Sequence, residues 1–241
     1  MQKLLISATL ALSSLVAHAG NTIYGADFGS GSNTYSSTFA DGVNATFTSS
    51  KPGVFQLKSQ DGITGVGISG KTSGEIDIGE TIAGSFSKGV EIASIRLGLL
   101  FDGPEYKDVN EVAQITAFWT GGGSTKYTLT AKGESTAVWA TGSTTLFNAT
   151  PVPGSVFGGP AVLGGTGAWD LFNPFGTKQV SKLSFTALRG NQASSCSYCT
   201  NQSDYTLVSV TAVPEPETYA MMLAGLGLIG AIARRRKAKQ A

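Results

Sequence analysis

The sequence predicts an all-β protein: a single β-sandwich or jelly-roll-like domain, with an N-terminal signal peptide and a C-terminal transmembrane helix. Three observations carry that reading. Apolar residues recur at every second position in many short segments. Turn-forming pairs separate those segments. Gly, Ser and Thr make up about a third of the 241 residues, as suits short strands and tight connections. Charged residues are only 14% of the chain while 41% is apolar, which excludes a disordered polyelectrolyte. The formal net charge of +1 excludes a strongly basic nucleic-acid binder.

The N-terminal element, Met1–Ala19, has Lys3, an apolar stretch from Leu4 to Val16, and Ala17-His18-Ala19 as an A-x-A cleavage signal. It reads as a secretory signal peptide cut after Ala19, with the Sec machinery and signal peptidase as partners. An exported domain over residues 20–213 follows. In its body, Ile95, Leu97, Leu99 and Phe101 alternate with Arg96, Gly98 and Leu100, the pattern of a half-buried strand. Tyr127, Leu129 and Ala131 alternate with Lys126, Thr128, Thr130 and Lys132. Leu183, Phe185 and Ala187 do so with Lys182, Ser184 and Thr186. Ile115–Trp119 and Tyr205–Val213 are rich in β-formers and are further strands. Asp41-Gly42, Asp61-Gly62, Asp102-Gly103-Pro104 and Gly121-Gly122-Gly123 mark turns. Thr150–Gly167, with three prolines and six glycines, reads as a long surface connection.

The last element begins at Val213. Pro214-Glu215-Pro216 disfavours helix and keeps the chain extended. Residues 218–233 form an uncharged run read as a transmembrane helix, and the basic tail 234–239 opens with Arg234, Arg235, Arg236 and Lys237. A helix of about fifteen residues rises roughly 22 Å, so snorkelling arginines and bilayer thinning must complete the span. Basic residues stay cytoplasmic, which places the preceding domain outside. Gly225-Leu226-Gly227-Leu228-Ile229-Gly230 matches a dinucleotide fingerprint by letter only. It lacks a preceding strand and a following acidic residue, and small residues for close helix packing are the better account.

Pro214-Glu215-Pro216, then Glu217-Thr218-Tyr219-Ala220, the apolar run and the arginine-rich end resemble the PEP-CTERM sorting signal of Gram-negative bacteria. The resemblance covers residues 214–241 and Val213 before them. It implies that an integral-membrane exosortase recognises the Pro-Glu-Pro region and removes the tail. It also implies a membrane-anchored precursor and a mature form at the cell surface or in the extracellular matrix, often beside exopolysaccharide.

Removing both ends changes the chemistry on offer. The remaining domain keeps 11 Lys and Arg against 14 Asp and Glu, a net charge of about −3, which takes away the remaining support for nucleic acid. The one histidine, His18, lies in the signal peptide. His-dependent nucleophiles and His-ligated zinc or copper are therefore excluded from the domain, and no catalytic residue is assigned. Cys196 and Cys199, in Cys-Ser-Tyr-Cys, are expected to form a small structural disulfide in an oxidising compartment.

Acidic residues cluster at Glu75, Asp77 and Glu80 and again at Asp102, Glu105, Asp108 and Glu111. Alternation sets Glu75 and Asp77 opposite Ile76 and Ile78, and a solvated face is the expected fate of both clusters. Calcium on Asp102, Asp108 and Glu111 is the second reading, since that ion takes six to eight oxygens, and no cofactor is otherwise expected. A carboxylate pair drawn from Glu75, Asp77, Asp108 and Glu111 is the remaining catalytic reading. Trp119, Trp139 and Trp169 are expected in the core, with sugar stacking as the alternative. Together these readings give a non-enzymatic surface or matrix protein with a structural or adhesive role. An exopolysaccharide-binding module is the alternative, and a carboxylate-dependent polysaccharide hydrolase or lyase comes after it.

Overall fold

Alternation of buried and open residues writes most of this structure, a computed structural model that describes residues 21–39, 42–50, 52–60, 62–103, 109–133, 135–152, 167–191 and 202–213, with 225, 226 and 229. In chain order the strands are β1 (Thr22–Tyr24), β2 (Thr34–Phe39), β3 (Val43–Ser49), β4 (Phe55–Gln60), β5 (Ile63–Ile68), β6 (Ile82–Val90) and β7 (Ile92–Gly98). Then come β8 (Asn110–Trp119), β9 (Ser124–Gly133), β10 (Thr136–Thr141), β11 (Thr144–Pro151), β12 (Trp169–Phe172), β13 (Val180–Asn191) and β14 (Thr206–Ala212). A 3-10 turn, Gly25–Phe28, follows β1.

The strands make one antiparallel sheet in the order β2-β3-β6-β13-β8-β9-β10-β11-β12-β7-β14-β5-β4, with β1 on β14. Its two arms differ in how firmly they are joined. From β2 to β11 the ladders are long: β13 and β8 pair from Val180↔Trp119 to Asn191↔Asn110. At β11 and β12 only Thr150↔Asp170 and Pro151↔Trp169 pair. Beyond that joint, β7 and β14 form the spine of the second arm. The free margins of β2 and β4 also approach each other, because Gly31 N–H donates to Phe55 O (2.9 Å) and Phe55 N–H donates to Ser32 O (2.6 Å).

The main apolar cluster draws on both arms, and a small second one joins Ile63, Val152 and Ala168. Phe28, carried by the 3-10 turn, stacks on Tyr35 of β2 (4.4 Å between ring centroids) and meets Phe47 of β3 and Phe55 of β4 (5.0 Å each). At the other end Trp139 of β10 stacks on Tyr127 of β9 at 5.2 Å. Rings in such pairs contribute about 0.5–1.5 kcal/mol beyond their burial. The indoles keep their donors satisfied: Trp139 Nε1 donates to Pro174 O (3.2 Å) and Trp169 Nε1 to Leu100 O (2.9 Å). Both side chains are buried, as the sequence led us to expect.

The expected turns fall where the strands change: Gly42 between β2 and β3, Gly62 between β4 and β5, and Gly121–Gly123 between β8 and β9. One strand stops early. The alternation ran to Phe101, but β7 ends at Gly98, because Leu99 adopts a left-handed φ of 58° that breaks the ladder. Leu99 and Leu100 stay buried all the same. Among the described residues no helix is long and apolar enough to cross a membrane.

Candidate functional site

Four carboxylates, Glu75, Asp77, Glu80 and Asp204, gather where the chain between β5 and β6 folds back over β5. That fold-back depends on Gly67, where a Cβ would lie 2.3 Å from the Glu75 backbone. Backbone bonds hold the segment down. Ile68 N–H donates to Glu75 O (2.9 Å), Ile76 N–H to Tyr205 O (2.7 Å) and Glu80 N–H to Asp77 O (3.0 Å). The second acceptor, Tyr205, stands beside Asp204, so the turn meets the approach to β14.

The result corrects the expected solvated face. Glu75 is 4% exposed and Asp77 3%, and Ile76 between them is also buried, while Ile78 is 40% exposed. The segment is no regular strand, so alternation does not sort its side chains. Each buried carboxylate has partners instead. Lys58 Nζ, from β4, donates to Glu75 Oε1 at 2.9 Å. Thr72 N–H donates to Asp77 Oδ2 at 2.6 Å, and Asp77 N–H to Glu80 Oε2 at 3.1 Å.

Asp204 completes the group. Its carboxyl lies beside Glu75 and Thr72, close enough for both to act on it. Burial, then the neighbouring Glu75 charge, pushes Asp204 up to about 8. Burial likewise raises Glu75, against the pull of Lys58, and burial raises Glu80. Burial and mutual repulsion raise both carboxyls, so the Glu75–Asp204 pair holds on to one proton while Lys58 offsets the remaining charge. Such a pair stores one proton and ties three chain segments together.

Of the second acidic cluster, Glu111 is buried and accepts from Phe101 N–H. Asp102, the residue after Phe101, is half-buried, and Asp108 falls outside the described residues. Among the described residues no three Asp, Glu, His or Cys side chains are placed to hold a metal ion. The carboxylates named for a catalytic pair are divided: Glu75 and Asp77 sit in the fold-back, and Glu111 caps the chain after β7. The partner that Glu75 does meet, Asp204, carries no sequence signal, because it lies in a Ser- and Asn-rich stretch far along the chain. Lys58 and Thr72 were equally hidden.

Two other polar features stand on the strands. Arg96 of β7 and Asp170 of β12 are directly opposite and pair through two bonds, Nε to Oδ1 at 2.7 Å and the second guanidinium nitrogen to Oδ2 at 2.8 Å. The Asp170 contact raises the Arg96 pKa. Trp119, at the end of β8, is half-buried: it packs on Phe175 (6.0 Å) and carries Lys178 Nζ over its ring at 4.9 Å.

The remaining residues singled out in the sequence lie outside the described residues: Ala17 and Ala19, Cys196 and Cys199, Pro214, Glu215 and Pro216, and Arg234, Arg235, Arg236 and Lys237.

What the fold and its C-terminal end define is a β-rich domain followed at once by a processing signal. Residues 212–237 match the PEP-CTERM protein-sorting motif, starting on the last residue of β14 and taking in Pro214-Glu215-Pro216 and the four basic residues. That motif implies an exported protein processed at the membrane by an exosortase. Searches of curated proteins and of solved structures match nothing to this chain.

Proposed function

We propose that the protein is secreted through a signal peptide, trimmed of its tail by an exosortase, and retained at the cell surface or in the extracellular matrix in a structural or adhesive, non-enzymatic role. The observation that carries this reading is the sorting motif at residues 212–237, set against the final strand. A sandwich closure of the sheet is part of the proposal. In its favour are one shared core for both arms and the two-residue joint between β11 and β12, a natural place to fold one arm over the other. The non-enzymatic role is supported by the carboxylate cluster, whose oxygens serve backbone N–H groups, Lys58 and one another. Intact-mass analysis of protein from envelope, matrix and medium tests the reading. We expect material lacking Met1–Ala19 and ending near Pro214–Pro216; full-length tail on surface-localised protein would overturn the processing.

A second reading, a glycan-binding module, is favoured by one feature. On the open face of β8, β9 and β13, Lys182 rests on the ring of Phe118 beside the half-exposed hydroxyls of Thr116, Thr128 and Ser184.

A further inference from the structure

Two rings lie on the open side of the second arm, where alternation otherwise leaves small polar residues. Phe172, 57% exposed, and Tyr24, 54% exposed, are the most exposed aromatic side chains among the described residues. Phe172 ends β12 and Tyr24 ends β1, yet the ladders bring them onto one face.

Two rows of the register fix that face. In the first, Tyr24 is opposite Ser209, Ser209 opposite Arg96, and Arg96 opposite Asp170. In the second, Thr22 is opposite Thr211, Thr211 opposite Ser94, and Ser94 opposite Phe172. Residues opposite across a ladder, and residues two apart along a strand, share a face. The row between them, Ile23, Val210, Ile95 and Leu171, points the other way and is buried in the main cluster. Side-chain contacts agree with this assignment. The Oγ1 atoms of Thr22 and Thr211 are hydrogen-bonded at 3.0 Å, and Arg96 holds Asp170 through two bonds. The Arg96 pKa, raised chiefly by Asp170, also responds to the Tyr24 phenol, which therefore stands nearby.

The rings sit at opposite corners of a strip four strands wide and two rows deep. Strands about 4.8 Å apart and a two-residue step of about 7 Å set their backbones roughly 16 Å apart. Between them lie the half-buried hydroxyls of Ser94 and Thr211 and the Arg96 guanidinium. A guanidinium carries more N–H donors than Asp170 takes, and the Arg96 side chain is 38% exposed, so donors remain for ligand hydroxyls. Asp170 also fixes and neutralises that guanidinium, so the strip offers oriented donors without net charge.

This composition selects among occupants. The strip covers on the order of 200 Å², far below the ~800 Å² per partner of a stable protein interface. Its one cation is already paired, which leaves little to attract a polyanion. A neutral sugar chain fits on both counts. Its flat C–H faces suit the negative faces of the rings, and its hydroxyls suit the donors and acceptors between them.

We propose that this face of β1, β14, β7 and β12 docks a neutral polysaccharide, with sugar rings stacked on Tyr24 and Phe172. Arg96, Ser94 and Thr211 bond the hydroxyls of the chain where it crosses between the two rings. The proposal rests on the glycan-binding reading, but it places the ligand on the second arm and not beside Lys182 and Phe118.

The test uses the full-length protein in mild detergent with three soluble probes: hydroxyethylcellulose, a galactomannan and a polyuronate. Dissociation constants are measured by affinity electrophoresis at low and at high salt. The variant is Tyr24→Ala/Phe172→Ala, its folding checked by the melting temperature. We expect salt-insensitive binding of at least one of the two neutral glycans, weakened roughly ten- to a hundredfold in the variant. Neutral-glycan binding that the folded variant retains overturns the site and leaves the glycan-binding reading standing; Phe118→Ala/Lys182→Gln then shows whether the other face holds the ligand. Binding of the polyuronate alone overturns the neutral class, again without touching that reading. Binding of none of the three overturns the proposal together with the glycan-binding reading. Should the double variant fail to fold, Tyr24→Ala and Phe172→Ala singly decide the same question, since both rings are more than half exposed.

Discussion

Replacing Asp204 by Asn isolates the proton stored beside β14. In the folded protein Asp204 is held near 8, far above the ordinary carboxyl value of 3.8. A carboxyl group raised in the folded state contributes most stability below its unfolded pKa, and that contribution drains away as pH rises through the folded value. The window therefore runs from about pH 4 to about pH 8. Each unit within it amounts to about 1.4 kcal/mol, so the three units from pH 5 to pH 8 cost about 4 kcal/mol from this group. That is a large share of the ~5–15 kcal/mol typical of a domain. Glu75, also raised, works in the same direction. Asp204→Asn keeps a donor for Glu75 and an acceptor for Thr72 without needing a proton. Urea unfolding at pH 5 and at pH 8.5 should show a falling midpoint for the parent protein and a much flatter one for Asp204→Asn, which becomes the more stable of the two at pH 8.5. Parallel profiles for the two proteins would refute the assignment of the proton to Asp204.

Four further outcomes are expected. Lys58→Met leaves Glu75 buried beside two carboxyl groups and should cost about 2 kcal/mol, more at pH 8.5 than at pH 5, by the same urea assay. Gly67→Ala drives a Cβ into the Glu75 backbone and should cost about 1–3 kcal/mol, with hydrogen exchange at the Ile76 amide speeding up as the fold-back lifts. Alkylation of exported protein under denaturing, non-reducing conditions should label neither Cys196 nor Cys199, and reduction should expose both; two free thiols would contradict the disulfide. A flexible Gly-Ser insertion between Val213 and Pro214 should speed tail removal if the domain folds before it is cut, measured by pulse-chase; an unchanged rate would mean that the folded domain does not hinder the exosortase.

Where the fold could be read from the sequence, short-range geometry decided the structure. In β9, Tyr127, Leu129 and Ala131 alternate with polar neighbours because the strand has one core face and one open face, and it is buried in just that pattern. The Gly-containing turns fixed three hairpins for the same local reason. Alternation failed where the backbone leaves the ladder: at Leu99, and through Glu75–Ile78, where tertiary contacts choose which side chain goes inside. The candidate site was legible only in part. Glu75 and Asp77 stood out as a cluster, but their burial depends on Gly67 permitting the fold-back and on Lys58, Thr72 and Asp204 arriving from elsewhere in the chain. Long-range pairing of that kind leaves no periodic trace.

The end of the domain constrains how a sorting tail can be removed. β14 is an interior strand: β7 pairs along one side of it, and β5 and β1 share the other. Its bonding continues past its last residue, since Ala212 N–H donates to Asn21 O (2.7 Å) and Val213 N–H donates to Glu91 O (2.9 Å). Pro214 follows directly and brings no N–H to extend that ladder. The folded unit and the sorting signal thus abut with no spare linker between them. A cut at Pro214–Pro216 leaves every ladder bond of β14 intact, whereas a cut a few residues earlier would strip a central strand of its end and expose Val210 and Ala212, both buried in the core. The Pro-Glu-Pro position is the first one at which the tail can be lost without cost to the fold.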